Sequence, residues 1–164
     1  MTIQKGKISV TTENIFPKIR QWLYSDRDIF IRELISNATD AITKRQRLAT
    51  LGEVDAPEEK PEIAVILDAE NKTLTFRDNG IGMTADEIKR YINEIAYSGL
   101  VDFVEKYEDK GGAAEHNIIG HFGLGFYSAF MVADTVEIVS LSCLKDAAAV
   151  RWQSHEGIDF EMGP

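Results

Sequence analysis

Residues 33–41 read Glu-Leu-Ile-Ser-Asn-Ala-Thr-Asp-Ala and lie inside a segment, residues 28–51, whose pattern predicts one long α-helix. Glu33, Asn37, Asp40 and Lys44 follow one another at spacings of four, three and four residues. Such spacings align the four side chains in one narrow stripe of a helix. Apolar residues cover the neighbouring arc, namely Phe30, Ile31, Leu34, Ile35, Ala38, Ala41 and Ile42. The segment is therefore predicted to be an amphipathic helix.

The polar stripe allows two interpretations. The pattern alone favours a solvated helix face, because most amphipathic helices have one. The composition favours a functional site, because Asn37, Thr39 and Asp40 are poor residues for a helix interior, where short polar groups compete for backbone hydrogen bonds. A carboxylate one turn before a carboxamide can orient a water molecule beside a hard cation. The choice depends on which residues face the stripe.

Composition limits the classes of protein that the chain can belong to. The 164 residues suffice for one domain with a core, and 44% apolar and 27% charged residues are ordinary for a globular protein. The net charge of -9 disfavours non-specific binding to nucleic acid or to an anionic membrane. Cys143 is the only cysteine, so no internal disulfide can form. With neither a membrane-length apolar run nor a signal segment, we expect a cytoplasmic protein.

Hydrophobic periodicity predicts an alternation of strands and helices, with no internal repeat and no second domain. Strands are predicted at residues 7–10, 62–68, 73–77, 135–141, 148–154 and 158–162. Helices are predicted at residues 13–24, 28–51, 84–95 and 126–132, with a capping box formed by Thr84 and Glu87. Residues 97–115 carry glycines near both ends, which suits a hinged lid and a plain surface loop equally well.

Two glycine motifs follow the long helix. Asp78-x-Gly80-x-Gly82 ends a strand, where an aspartate can accept a hydrogen bond from an exocyclic amine, although a tight turn is the more frequent use of such a sequence. Gly120-x-x-Gly123-x-Gly125 opens onto a helix and can present amides to phosphate. It lacks the Gly-Lys-Ser/Thr of a Walker A loop and the spacing of a dinucleotide-binding fingerprint.

Other catalytic constellations are not supported by the sequence. His116, His121 and His155 have neither the spacing nor the cysteine partners of a metal site. The segment around Ser128 does not match the Gly-x-Ser-x-Gly nucleophile elbow. We therefore expect no metal held by histidine or cysteine and no serine hydrolase.

The order of the three motifs resembles the signature of the GHKL superfamily of ATPases. The longer strings at residues 31–41, 78–84 and 119–133 closely resemble the ninety-kilodalton heat-shock chaperones, and the short acidic loop after Leu51 indicates the bacterial branch. The resemblance covers nearly the whole chain. It implies an α/β (α+β) two-layer sandwich of the Bergerat type, in which helices cover one face of a mixed, mostly antiparallel sheet. ATP is then expected between helix 28–51 and the sheet.

The resemblance also implies roles for individual residues. Glu33 corresponds to the catalytic general base, Asn37 to the protein ligand of Mg²⁺, and Asp78 to the residue that reads the adenine amino group. The ATP-binding set that it implies is Asn37, Asp40, Ala41, Lys44, Asp78, Gly82, Met83, Asn93, Ser98, Gly99, Gly120, His121, Phe122, Gly123, Leu124, Gly125 and Phe126. Residues 97–115 correspond to a lid that closes over ATP, and the first strand to one that exchanges between subunits.

Some positions differ from the family pattern. Tyr97 stands where many members have a lysine that approaches the phosphates, Tyr91 where some have asparagine, and His121 where glutamine is usual. The resemblance implies that residues 1–164 form one N-terminal ATP-binding domain, without the last strand of the pocket and without the middle and C-terminal domains. We expect such a fragment to bind nucleotide, to hydrolyse ATP weakly and to be mostly monomeric. The full-length protein is expected to be a homodimer that acts on unfolded client proteins.

Three alternatives belong to other functional classes. A sensor histidine kinase shares the three motifs but needs an upstream helix that accepts phosphate, for which residues 1–25 leave no room. A gyrase-like or MutL-type ATPase acts on DNA and needs a basic surface, which an acidic chain does not favour. A binding module without activity is disfavoured because Glu33 and Asn37 are both present.

Overall fold

The computed structural model describes residues 2–7, 28–95, 125–157 and 159–164. The described strands are β1 (Gln4–Lys7), β2 (Ile63–Asp68), β3 (Thr73–Asp78), β4 (Thr135–Ser140), β5 (Val150–His155) and β6 (Asp159–Gly163). The α-helices are α1 (Ile29–Thr50) and α2 (Ala85–Ile88), and α2 continues as a π-helix, Lys89–Ile95. A 3-10 helix covers Phe126–Met131.

The described strands form two separate antiparallel sheets. The larger sheet has the order β1-β6-β5-β4, and β2 pairs with β3 in a hairpin. In the larger sheet Trp152 lies opposite both Ile138 of β4 and Met162 of β6, so these residues share a face. The chain is thus an α/β sandwich of the expected class, and every strand pair within the described residues is antiparallel.

Within the described residues, helical segments cover one face of the larger sheet. Trp152 and Met162, on the inner face, are 0% and 2% exposed, and the 3-10 helix places Phe130 in the same core. Phe126 packs edge-on against Trp152, with ring centroids 5.6 Å apart. The outer face is polar and carries exposed ion pairs, Lys5 with Glu161 and Arg151 with Glu137. Such exposed pairs add little stability, so the buried inner face supplies most of the packing energy.

The long helix α1 has the bounds that the sequence predicts, to within one residue at each end. Ile29 and Ala38 are buried on it, and Phe30 packs edge-on against Phe76 of β3 at 6.2 Å. The helix lies against β3 and the 3-10 helix. It therefore connects the hairpin to the segment that follows the third motif.

Four local predictions can be compared with the structure. The capping box is confirmed: Glu87 N donates to Thr84 Oγ1, and Thr84 N donates to Glu87 Oε2. The hairpin is confirmed, and its turn is held by Asp68, whose carboxylate accepts hydrogen bonds from the backbone and side chain of Asn71.

The helices predicted at 84–95 and 126–132 are present, but the first changes to a π-helix after Ile88 and the second is a 3-10 helix. In the latter, the Ser128 hydroxyl donates to the Gly125 carbonyl oxygen and tightens the first turn.

The first strand begins three residues before its predicted start. The prediction placed it at residues 7–10, whereas the structure has β1 at Gln4–Lys7. Its pairing partner β6 decides the register, with Gln4 opposite Met162 and Lys7 opposite Asp159. Gly6 lies opposite Phe160, whose ring is 2.8 Å from where a Cβ on Gly6 would lie. Residues 8–10 and the helix predicted at 13–24 lie outside the described residues.

In the part of the chain that the structure describes, none of the helices is long and apolar enough to cross a membrane.

Candidate functional site

The first and third motifs meet at Gly125. A Cβ on Gly125 would lie 2.7 Å from Glu33 Oε2 and 3.6 Å from Asn37 Nδ2. The glycine is buried at the start of the 3-10 helix, and both polar side chains project from α1 toward it. A residue with a side chain would displace Glu33, because a contact below about 3 Å is a steric clash. The spacing of four residues on α1 thus brings a carboxylate and a carboxamide together beside the phosphate-type motif.

Glu33 has a perturbed acidity. Burial raises the pKa of its carboxyl above the ordinary value, and the charge of Arg32 lowers it in part. A carboxylate with a raised pKa has a greater affinity for a proton than a solvated one. This is the direction that suits a general base.

The second motif begins with a side-chain turn. The Asp78 Oδ1 atom accepts a hydrogen bond from Gly80 N at 2.8 Å. This Asx turn fixes one carboxylate oxygen and leaves Oδ2 available on an exposed residue. The turn that this sequence most often forms is therefore present, and it orients the carboxylate that the resemblance assigns to adenine.

The turn lies directly on the backbone of α1. Gly80 is buried, and a Cβ on it would be 2.5 Å from the carbonyl carbon of Ala41. The Ile81 amide donates to the Ala41 carbonyl oxygen at 2.9 Å. Ala41 therefore belongs to the site through its main chain, and the glycine is required for this close approach.

On the side away from α1, residues 78–83 contact the end of β4. Gly82 has φ +65°, and a Cβ on it would be 2.1 Å from the Leu141 carbonyl oxygen. The Met83 amide donates to Ser140 Oγ at 2.8 Å, and the Cys143 amide donates to the Ile81 carbonyl oxygen at 2.8 Å. Residues 78–83, hereafter the recognition segment, are thus held from both sides by parts of the chain far away in sequence.

Sequence reasoning missed two residues that hold the recognition segment. Arg45 on α1 donates from Nη1 to the Asn79 carbonyl oxygen at 2.9 Å, and Ser140 accepts from Met83 as described above. A signal was available for each of them. Arg45 lies one turn after Ala41 on the packing face of α1, and Ser140 continues the inward-facing alternation of Val136 and Ile138. A polar residue at an apolar position of a pattern indicates a specific partner.

Asn93 and Phe126 lie at the boundary between the site and the core. The Trp152 indole donates from Nε1 to Asn93 Oδ1 at 3.0 Å. This bond occupies the carbonyl oxygen of Asn93 and leaves its amino group available as a donor. The Tyr127 hydroxyl donates to the Ile92 carbonyl oxygen at 2.9 Å, which anchors the π-helix on the 3-10 helix. Phe126 packs on Tyr127, Phe130 and Trp152, so its ring serves the core.

The residues to which the resemblance assigns a role divide into three groups according to where the structure places them. Asp40 and Lys44 are exposed on α1 in the same stripe as Asn37, and Gly82 and Met83 are half-buried in the recognition segment. The structure brings Glu33 and Asn37 to Gly125, and Ala41 to the recognition segment. A third group lies outside the described residues, namely Ser98, Gly99, Gly120, His121, Phe122, Gly123 and Leu124. The lid expected at 97–115 also lies outside them.

The described residues contain no group of three or more His, Cys, Asp or Glu side chains that could hold a metal ion by themselves. The amide oxygen of Asn37 is a donor of the kind that Mg²⁺ accepts, and Glu33 lies one turn before it on α1. Mg²⁺ usually binds proteins through one or two such donors together with substrate phosphates and water. The donor set therefore fits a magnesium ion that arrives with a phosphorylated ligand.

Comparison with known families agrees with this geometry. Residues 25–158 match the family model described as histidine kinase-, DNA gyrase B- and HSP90-like ATPase. The match includes α1, the recognition segment and Gly125.

Individual relatives carry the printed name chaperone protein HtpG. The chain is 53% identical over 160 residues to the protein of Bacteroides thetaiotaomicron, covering 98% of this chain and 23% of that protein. It is 45% identical over 161 residues to that of Porphyromonas gingivalis, with the same coverage of 98% and 23%. It is 44% identical over 143 residues to that of Myxococcus xanthus, covering 87% and 22%. The chain thus spans about a quarter of the length of these curated relatives.

Proposed function

This chain belongs to the histidine kinase-, DNA gyrase B- and HSP90-like ATPase family, and from that premise we propose that it binds and hydrolyses ATP as part of a chaperone. The nucleotide lies between α1 and the sheet, with its base at the recognition segment. The chaperone assignment follows the printed names of the relatives. The matches to the proteins of Bacteroides thetaiotaomicron and Porphyromonas gingivalis each cover 98% of this chain. None of the relatives named above carries the name of a kinase or of a DNA-dependent enzyme.

One observation carries the proposal. A Cβ on Gly125 would lie 2.7 Å from Glu33 Oε2 and 3.6 Å from Asn37 Nδ2, so the backbone of the third motif lies directly against the first motif. At the same time Gly80 packs on the backbone of Ala41, two turns further along α1. The helix is therefore in contact with the second and the third motif at separate points. A ligand with a base at one end and phosphates at the other matches this spacing.

Base recognition is assigned to Asp78. Its Oδ1 atom is engaged by Gly80 N, so Oδ2 is the oxygen that accepts a hydrogen bond from the 6-amino group of adenine. Gly82 and Met83, which follow Asp78 in the recognition segment, line the base. Asp40 and Lys44 extend the wall of the site along α1.

Water activation is assigned to Glu33 and phosphate binding to residues 120–126. The carboxylate of Glu33 accepts the proton of the attacking water, and its raised pKa favours that transfer. Asn37 would hold Mg²⁺ through its carbonyl oxygen, and the chemistry that the ion would supply is neutralisation of charge on the phosphates. Gly125 keeps the backbone close to both side chains. Asn93 directs its amino group toward the anionic ligand, since Trp152 occupies its carbonyl oxygen.

Partners are proposed at the level of the parent protein. The family and the names of the relatives suggest unfolded client proteins and a homodimer in which the first strand exchanges between subunits. Residues 1–164 then form the N-terminal nucleotide domain of that protein, and residues 97–115 its lid. The lid position and the exchange are proposals that rest on the resemblance alone.

The test is Glu33→Gln, which keeps the shape of the side chain and removes the base. We expect ATP turnover to fall about 10²–10⁴-fold, as for the loss of a general base, while calorimetric binding of ADP with Mg²⁺ is retained. Glu70→Gln in the exposed hairpin turn is the matched control and should leave both quantities unchanged. Asp78→Asn should weaken ADP binding about tenfold or more, because a charge-assisted hydrogen bond is lost. Retained turnover in Glu33→Gln would contradict the assigned base.

The raised pKa of Glu33 leads to two predictions about pH dependence. Only the deprotonated carboxylate is a base, so hydrolysis should be lost as the pH falls through a pKa that lies above the ordinary glutamate value. For folding the sign is opposite: the stability contributed by Glu33 is present below its unfolded-state pKa and is lost as the pH rises through the folded-state pKa. Glu33→Gln should therefore melt at the same or a higher temperature than the wild type at pH 7. A clearly lower melting temperature would contradict the raised pKa.

A further inference from the structure

Arg45 is a cation on the packing face of α1, outside the polar stripe. It is half-buried, and its Nη1 atom donates to the main-chain oxygen of Asn79 at 2.9 Å. Its Nε atom is buried and has no hydrogen-bond partner in the part of the chain that the structure describes. An unpaired buried nitrogen is unfavourable for folding. The contact with Asn79 is therefore what the guanidinium contributes at this position.

Asn79 is the residue that Arg45 holds, and it is the centre of the Asp78 turn. The turn joins Asp78 Oδ1 to Gly80 N, so the peptide groups of Asn79 determine how the carboxylate is placed. The Asn79 side chain is fixed independently: its Oδ1 accepts from Glu62 N at 2.9 Å and its Nδ2 donates to Lys60 O at 2.7 Å. Without Arg45, the side chain of Asn79 stays anchored, but the peptide group that joins Asn79 to Gly80 keeps only the bond from Gly80 N to Asp78 Oδ1.

We infer that Arg45 is a positioning residue for base recognition: by holding the Asn79 carbonyl group, it aims the free oxygen of Asp78 at the 6-amino group of adenine. The inference rests on the proposed function and goes beyond it, because it assigns part of the base specificity to a residue that is outside all three motifs. Arg45 acts through Asn79 and does not contact the base. Its loss should therefore change the preference for the amino group and leave phosphate binding unchanged.

The experiment compares two ligands on the 164-residue chain. One ligand is ADP, and the other is purine riboside diphosphate, which differs by lacking the 6-amino group. For Arg45→Met we expect the dissociation constant of ADP to rise about tenfold, the value of one misplaced hydrogen bond to a charged group. The dissociation constant of the analogue should change less than about twofold, because that ligand does not use the carboxylate.

Three variants make the result specific. Arg45→Lys keeps a terminal donor and omits the unpaired Nε, so it should restore most of the preference for ADP. Arg47→Met is the matched control, since Arg47 is an exposed cation on the same helix, and it should leave both constants unchanged. If Arg45→Met does not fold, as judged by circular dichroism, Arg45→Gln takes its place, because its donor is too short to reach Asn79.

The outcomes are distinguishable. An equal loss of affinity for both ligands would indicate a merely structural role and would overturn the inference, as would an unchanged preference for ADP. The proposed function would stand in either case, because the wild type still binds ADP. If the wild-type chain binds neither ligand, the proposed function fails and the inference fails with it.

Discussion

The two ends of the β2–β3 hairpin are held in different ways. At the Asp78 end, the chain is fixed by the Ala41 carbonyl and the Arg45 side chain on α1, and by Ser140 at the end of β4. At the turn end, the bonds are local, from Asn71 to Asp68, and the paired residues Leu67 and Leu74 are 74% and 39% exposed. The same two strands therefore carry one end that is constrained by tertiary contacts and one that is not.

This difference shows where the geometry of the recognition segment originates. A turn of the Asp-Asn-Gly type can form by itself, as Asp78 and Gly80 do here. Its position relative to α1 and β4 depends on contacts with residues about 40 positions earlier and about 60 positions later. We therefore expect substitutions at these distant contacts to affect the ligand, and substitutions at the turn end to affect neither ligand nor fold.

The largest effect is expected for Gly82→Ala. The residue has φ +65°, and a Cβ would lie 2.1 Å from the Leu141 carbonyl oxygen, so the segment would have to move away from β4. We expect at least about 3 kcal/mol of lost stability and loss of measurable ADP binding. Gly52→Ala is the control, because Gly52 has φ +74° and nothing within 4 Å, and it should cost only about 1–2 kcal/mol without affecting binding. Equal melting temperatures of the two variants in thermal unfolding would contradict the role of the contact with Leu141.

An intermediate effect is expected for Ser140→Ala. The substitution removes the acceptor of the Met83 amide, which is part-buried, and leaves that donor without its partner. We expect a loss of about 1–2 kcal/mol in stability and about fivefold weaker ADP binding. Ser140→Thr keeps the hydroxyl group in a strand that tolerates β-branched residues, and it should restore both quantities. Wild-type affinity in Ser140→Ala, measured by calorimetry, would show that β4 does not position Met83.

The smallest effect is expected for Leu67→Thr at the turn end. Leu67 is 74% exposed, so the substitution removes little buried surface and should change the free energy of unfolding by less than about 0.5 kcal/mol. Phe76→Ala tests the same face of the hairpin near α1, where the ring packs on Phe30 at 6.2 Å, and it should cost about 2 kcal/mol. Similar costs for the two variants in urea unfolding would remove the distinction between the two ends.

Most of the fold was predictable from residues that are close in sequence. The bounds of α1, the hairpin, the capping box and strands β4 to β6 follow from periodicity and turn chemistry. The position of β1 was not predictable, because its register is set by Met162 and its neighbours in β6. The π-helix after Ile88 was also not predictable, since Tyr127 and Trp152 bond to Ile92 and Asn93 from another part of the chain. Register and helix type at these points depend on partners that no local pattern specifies.

The amino-acid sequence by itself determined the three motifs, their order and the choice of side chains on α1, because helical spacing and glycine placement are local properties. Tertiary structure alone decided how the motifs meet. It placed Gly125 against Glu33, set the Asp78 turn on Ala41, and recruited Arg45 and Ser140 to hold that turn. The physical reason is that each of these contacts joins backbone groups to residues distant in sequence, and such groups find partners only when the chain is packed.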